Sequence, residues 1–387
     1  MRLAQKMKRL GTETAFEVLA RAKELEREGK EVIHLEIGEP DFDTPKNIIE
    51  AAIKALKEGY THYTPSAGLP EVREVVAKYI SDTRKIKADA DEVVVTPGAK
   101  PIMFFTIISL VEEGDEVIYP NPGFPIYESM IDFLGGKSVP IQLREENQFR
   151  LDVDELRKLV TPKTRMIIIN SPQNPTGGVL TLEDLKGIAE IALKNDIHVL
   201  SDEIYSRSIY EGEHHSIASL PDMKERTIIL DGLSKTYAMT GWRVGYGVMN
   251  KTLAPHIARL MTNSNSCTAS FTQRALIEAL TGPQDEPKRM VAEFKKRRDV
   301  IVKGLCQIPN FSCSSPKGAF YVFPNIKKTG WQSKKLADAL LNEAGIAVLS
   351  GTSFGKFGEG YLRISYANSI ENINKGLEKI KKFVEKI

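Results

Sequence analysis

A primary amine, a carboxylate and a guanidinium stand in short polar segments that follow apolar runs. Lys235 comes after TIILDG, Asp202 ends IHVLSD, and Arg243 lies in the same stretch as the lysine, SKTYAMTGWRVGYG. Asn170 closes a third run, RMIIIN, with Asn174 just beyond it, and Gly98 follows a fourth, VVVTP. Taken singly, each has a bland explanation: an aspartate at a strand end caps the next helix, and most lysines are solvated surface groups. Taken together with Ser234, they supply what a phosphorylated pyridine aldehyde needs: an amine for a Schiff base, a carboxylate for the ring nitrogen and donors for the phosphate. TPGAK places Gly98, Ala99 and Lys100 between a strand and a helix, where small residues let backbone N–H groups and the positive helix end approach a phosphate. Arg243 can hold phosphate oxygens through two parallel hydrogen bonds, or serve in an ordinary ion pair.

For these groups to converge, the apolar runs must be neighbouring strands with their carboxyl ends on one rim, where open parallel sheets bind ligands. The segments DEVVV, DEVIYP, KSVPI, RMIIIN, IHVLSD, RTIILDG and VGYGV alternate with helical stretches, the mark of a crossover-connected, mostly parallel sheet. PIMFFTIISLV reads as a core helix packed on it. Upstream, Phe16, Leu19, Ala22 and Leu25 recur at helical spacing over residues 14–28, with Gly29 as the C-cap. Val32 to Ile37 alternates as a strand, Thr44 and Pro45 resemble an N-cap and first helical residue, that helix stops at Gly59, and Pro70 starts another. After about Gly282 come a long charged helix, the segments AFYVF, IAVLS and YLRISYA, and a Lys-rich closing helix, as expected of a smaller α+β unit with which the N-terminal segment packs. The expected architecture is thus α/β: a large domain at 46–284 with a mostly parallel sheet flanked by helices, and a small discontinuous α+β domain at 1–45 and 285–387.

Composition narrows the function. With 27% charged residues and a formal net charge of +2 over 387 residues, neither nucleic acid nor an anionic membrane is indicated, and a small-molecule substrate fits better. Cys267, Cys306 and Cys313 are odd in number and form no CxxC pair, which argues against a disulfide framework or thiolate metal site. The longest apolar run, Met103 to Val111, is too short to span a bilayer, so a cytoplasmic protein is expected. His214 and His215, without metal-binding spacing, read as solvated, and no metal is called for.

The ordered motifs IGEPDF (37–42), HYTPSAGLPEVR (62–73), TPGAK, NPGFPIY (121–127), NSPQNPTGG (170–178), SDEIY (201–205), SKTYAMTGWRVGY (234–246), KGAFYVFP (317–324) and GYLRISYA (360–367) cover nearly the whole chain. In them the sequence resembles class I aminotransferases of pyridoxal-phosphate fold type I, close to the prokaryotic aspartate aminotransferase subgroup. The resemblance implies that Lys235 bears the pyridoxal 5'-phosphate, that Asp202 pairs with its protonated ring nitrogen, and that Tyr205 and Asn174 hydrogen-bond its ring oxygen. It further implies that Phe124 stacks on the ring, and that Ser234, Arg243 and the amides of Ala99 and Lys100 hold the phosphate, joined by Tyr63 from the partner subunit of a homodimer. Arg363 and the Gly38 backbone are expected to bind the substrate α-carboxylate, helped by Asn174. Phe124 and Tyr63 could instead be packing aromatics, whereas an arginine in mid-strand, like Arg363, needs a reason to face inward.

The implied reaction moves an amino group between an amino acid and a 2-oxo acid by a ping-pong route. Lys235 would both carry the cofactor and act as general base at the substrate Cα, and Asp202 would keep the ring nitrogen protonated. For the substrate side chain the best clue is Lys100, whose ammonium could pair with the distal carboxylate of aspartate or 2-oxoglutarate, or could lie on the phosphate side or in solvent. Alternatives within the resemblance are an aromatic, kynurenine or prephenate aminotransferase, or a carbon–sulfur lyase sharing the same Cα chemistry. A non-catalytic cofactor-binding regulator is a third class, which a missing lysine, acid or arginine would favour; all three residues are present.

Overall fold

A computed structural model describes residues 1–386. Its strands are β1 (Ile33–His34), β2 (Val93–Thr96), β3 (Glu116–Asn121), β4 (Lys137–Gln142), β5 (Thr164–Asn170), β6 (His198–Asp202), β7 (Thr227–Gly232), β8 (Gly245–Val248), β9 (Tyr321–Val322), β10 (Ile346–Ala347), β11 (Leu349–Ser350) and β12 (Leu362–Ser365). All seven apolar runs expected as strands enter one sheet, in the order β2-β8-β7-β6-β5-β3-β4. The pairs among β3, β4, β5, β6 and β7 are parallel, and only β8 runs against its neighbours β2 and β7.

The reason for that mixture is local. Residues 233–244, between β7 and β8, contain turns and no helix, and this connection returns the chain antiparallel. Helices Ile126–Leu134, Val153–Leu159 and Leu182–Lys194 lie between successive parallel strands from β3 to β6, a long segment with two 3-10 turns leads on to β7, and the covered strands are apolar on both sides. In β5, Ile167 and Ile169 enter one hydrophobic cluster while Met166 and Ile168 enter another. The segment PIMFFTIISLV forms helix Lys100–Leu110, with Ile102, Met103, Phe105 and Ile107 buried against the sheet.

The N- and C-terminal segments share a separate core, in which Ile33 and Leu35 pack with Phe294, Phe320, Ile346, Ile364 and Ile373. β1 pairs in parallel with β10, and β12 lies between β11 and β9 in an antiparallel sheet. The long charged stretch forms helix Asp285–Leu305 and the Lys-rich end forms helix Ile370–Val384. Ile387, the last position of the expected small domain, lies outside the described residues.

Several local expectations give way to tertiary contacts. Of the strand expected from Val32 to Ile37 only Ile33–His34 is regular, and IAVLS divides between β10 and β11, which join different sheets. Thr44 caps no helix: its hydroxyl donates to the Ala238 carbonyl at 2.7 Å and accepts from Trp242 Nε1 at 2.9 Å, while Pro45 itself stands as the N-cap of helix Lys46–Lys57. Gly29 lies one residue beyond the C-cap, Glu28, in left-handed conformation. His214 is not solvated, because its Nε2 meets buried Glu203 at 3.0 Å.

That glutamate belongs to a buried ion cluster beneath the sheet's rim. Arg84, at the end of helix Pro70–Arg84, reaches Glu203 Oε2 at 2.7 Å, Asp231 Oδ2 at 2.6 Å and Ser206 Oγ at 2.8 Å. Removing one partner of a buried pair leaves an uncompensated charge, so Arg84→Met is expected to cost about 3–5 kcal/mol of stability, read as a lower urea midpoint. An unchanged midpoint would mean that the two carboxylates find another counterion.

Candidate active site

The carboxyl ends of β5, β6 and β7 open onto a cavity of ≈ 550 Å³, within the range of small-molecule sites. Asn170 and Asp202 end adjacent strands, paired in register. Asn170 Nδ2 donates to the Asp202 carbonyl at 3.1 Å, and its Oδ1 accepts from the Asn174 amide at 2.9 Å, which fixes the turn that brings Asn174 to the cavity wall. Ser234 and Lys235 follow β7 and line the same cavity. Because β8 is antiparallel, its first residue lies on this rim, with Gly245 opposite both Gly232 and Thr96. Arg243, just before it, is thereby carried to the turn after β2.

There Gly98 has φ +86°, and a Cβ on it would stand 2.2 Å from Arg243 Nη2, so only glycine allows the guanidinium this close. Arg243 itself holds a left-handed φ of 51°, a conformation a non-glycine residue keeps only under constraint. Its Nη1 donates to the Thr240 carbonyl at 2.7 Å. Ala99 is the N-cap of helix Lys100–Leu110, so the first amides of that helix precede its internal hydrogen bonds and face the same corner. A guanidinium beside free helix amides could hold an anion in this corner.

At the opposite wall, Asp202 is buried. Burial raises its carboxyl to about 6, against the opposing effects of the Tyr127 hydroxyl, which donates to Oδ2 at 2.5 Å, and the Ile204 amide, which donates to Oδ1 at 3.2 Å. Phe124 lines the cavity and packs edge-on against Tyr127, with centroids 5.6 Å apart. Tyr205 shares a 2.7 Å hydroxyl contact with Tyr321.

The N- and C-terminal segments complete the enclosure. Arg363 on β12 is buried, its Nη2 donates to the Glu36 carbonyl, and its guanidinium lies 4.7 Å from the Tyr321 ring centre. Lys235 Nζ donates to the Gly38 carbonyl, and a Cβ on Gly38 would meet Tyr321 Oη at 2.2 Å. Two buried polar atoms here, Asn174 Oδ1 and Arg363 Nε, have no partner among the described residues. Such atoms are costly unless a ligand satisfies them.

Of the residues singled out from sequence, Lys235, Asp202, Tyr205, Asn174, Ser234, Arg243, Phe124, Ala99, Lys100, Gly38 and Arg363 all line this cavity, and Gly98 abuts Arg243. Tyr63 does not: it is 87% exposed and apart from this chain's cavity. Tyr127, Tyr321, Glu39 and Glu13, which were not singled out from the sequence, also stand at or beside this cavity. Tyr127 follows Phe124 at one-turn spacing, a signal that could have been used, whereas Glu13 carries none, since its partner Lys100 is 87 positions away.

Burial lowers Lys235 to about 8, with Glu39 and Glu13 opposing and Arg363 and Arg243 reinforcing the shift. In the ligand-free protein the amine is therefore expected to react with acetic anhydride along a titration centred near 8, against about 10.4 for ordinary lysines. The protonated amine costs stability below about 8, and that cost is relieved as pH rises from about 8 towards the usual value of 10.5. Peptide-resolved labelling that placed Lys235 with the surface lysines would contradict this.

The family model described as aminotransferase class I and II matches residues 30–380 of the chain. The aspartate aminotransferase of Pyrococcus abyssi is 43% identical over 357 residues, covering 91% of this chain and 92% of that protein. The aromatic-amino-acid aminotransferase 2 of Thermococcus litoralis is 41% identical over 358 residues, 92% of each. Among solved structures, the aspartate aminotransferase from Thermus thermophilus with maleate matches with a TM-score of 0.94 at 36% identity, covering 99% of this chain and 100% of that one.

Proposed function

The chain belongs to the class I and II aminotransferases, and from that premise we propose that it uses pyridoxal 5'-phosphate at Lys235 to move amino groups between amino acids and 2-oxo acids. The observation that carries the proposal is one cavity whose walls bear a lysine with lowered pKa, a buried carboxylate and an anion-binding corner. When bound, the cofactor supplies an aldehyde that links to amines and a protonated ring that accepts electron density.

The site residues divide the work by position. Asp202 is assigned to the ring nitrogen: a carboxylate held near 6 gains most from a cation beside it. Tyr205 and Asn174, whose side-chain Nδ2 can donate, are assigned to the ring oxygen, and Phe124 to the ring face. Gly98 leaves room for Arg243, which with Ser234 and the amides of Ala99 and Lys100 is assigned to the phosphate. Tyr63, exposed in the single chain, is assigned to the phosphate of a partner subunit in a homodimer. Arg363, its Nε free of protein partners, binds the α-carboxylate with Asn174 and the Gly38 backbone. Lys235 Nζ then takes and returns the proton at the substrate Cα, a task suited to an amine whose pKa is near the working pH.

Donor and acceptor would use this cavity in turn, so the kinetics are expected to be ping-pong. We assign residues 46–284 to the large domain and 1–45 with 285–387 to the small one, so that α-carboxylate binding bridges the two. Among the described residues no helix is long and apolar enough to cross a membrane, and we place the enzyme in the cytoplasm. For the substrate pair we favour aspartate with 2-oxoglutarate, with Lys100 taking the distal carboxylate; a reading with aromatic donors is favoured by one observation, that Glu13 already neutralises Lys100.

Lys235→Ala is expected to lower kcat by at least ~10²–10⁴-fold, the usual contribution of a positioned acid–base group, and to abolish borohydride-fixed labelling by the cofactor. Near-normal turnover by that variant, or a label on another lysine, would remove the assignment. Lys100→Ala is expected to lower kcat/KM for aspartate relative to phenylalanine, and an unchanged ratio would defeat the aspartate assignment.

A further inference from the structure

Lys100 opens helix Lys100–Leu110, where the positive helix end disfavours a cation, so helix stability does not account for it. Its ammonium meets the Glu13 carboxylate and lies 5.4 Å from the Phe124 ring centre. Glu13 is the N-cap of helix Thr14–Arg27, yet its side chain caps no amide of that helix. It turns to the lysine instead. Both side chains line the cavity beside Phe16, with 20% of the Glu13 side chain and 46% of that of Lys100 exposed.

This inference rests on the aminotransferase reading, in which two substrates with different side chains visit one cavity. A lone Lys100 would suit an acidic side chain but would be left unpaired and partly desolvated beneath an uncharged one. An uncharged wall would fail an acidic side chain in the same way. We propose that Glu13 is a specificity-determining residue, an exchangeable counterion that leaves Lys100 when a substrate brings its own carboxylate and returns when the side chain is uncharged. The cavity thus accepts both acidic and aromatic substrates, and each acidic one competes with Glu13 for the lysine.

The test compares kcat/KM for aspartate and phenylalanine in the holoenzyme, together with inhibition by maleate and by 3-phenylpropionate. Glu13→Gln keeps the shape and removes the competitor. The aspartate-to-phenylalanine ratio is expected to rise about fivefold, the upper range for a partly exposed ion pair, and maleate to bind more tightly relative to 3-phenylpropionate. Glu13→Asp should stay nearer the unsubstituted protein. In a Lys100→Met background, Glu13→Gln should leave the ratio where it stands, because the coupling has lost its partner. Unsubstituted enzyme confined to one donor class, or a ratio indifferent to Glu13→Gln while both donors react, overturns the counterion role and leaves the aminotransferase reading intact. Absence of transfer from every amino donor defeats that reading itself, and this inference with it.

Discussion

Charge kept out of water at the carboxyl ends of β6 and β7 is the constraint around which the site is arranged. Asp202, Glu203 and Asp231 all lie there, buried, and three carboxylates so placed repel one another and lose solvation. Arg84 answers two of them. Burial alone would raise Glu203, but His214 and Arg84 hold it down to about 2. Asp202 has a hydroxyl and one amide, and stands near 6. Adjacent residues leave a strand on opposite sides, so one acid is committed to the scaffold while its neighbour faces the cavity and is free to meet a cation there.

The second requirement is enclosure. The sheet's rim alone provides the lysine, the acid and the anion corner, and the terminal segments close it through Gly38, Tyr321 and Arg363. The contact from Lys235 to the Gly38 carbonyl ties the sheet's rim to the N-terminal segment, and Tyr205, from the loop after β6, packs with Tyr321 in the core of the terminal segments. A ligand held at Arg363 would lie between β12 and the rim of the main sheet, and any change in their spacing would act directly on it. Glycine at 38 matters for the same reason, since a side chain there would push Tyr321 out of its place.

On the cavity wall the Glu13–Lys100 pair reflects a difficulty inherent in amino-group exchange. One site must bind two substrates with equal care for their common α-carboxylate and unequal demands from their side chains. A pair of opposite charges that can open answers both demands with little cost in either state, because each partner retains access to solvent.

Much of this was legible in the residues alone. Strands buried on both faces must be continuous apolar runs, so the seven strands of the main sheet stood out, and the polar residues at their ends, Asn170, Asp202, Ser234 and Lys235, marked the rim. Motifs along the chain added the family and, through Arg363, a mid-strand cation that needs a reason to face inward. The sequence by itself therefore determined the strands of the main sheet and the family, and marked candidate groups for the chemistry. Packing decided the rest: the antiparallel course of β8 that delivers Arg243, the partition of roles between Asp202 and Glu203, the loss of Thr44's cap to Ala238 and Trp242, and the meeting of Glu13 with Lys100. These are contacts between segments far apart in the chain, and local periodicity and capping rules hold no information about which distant group will arrive.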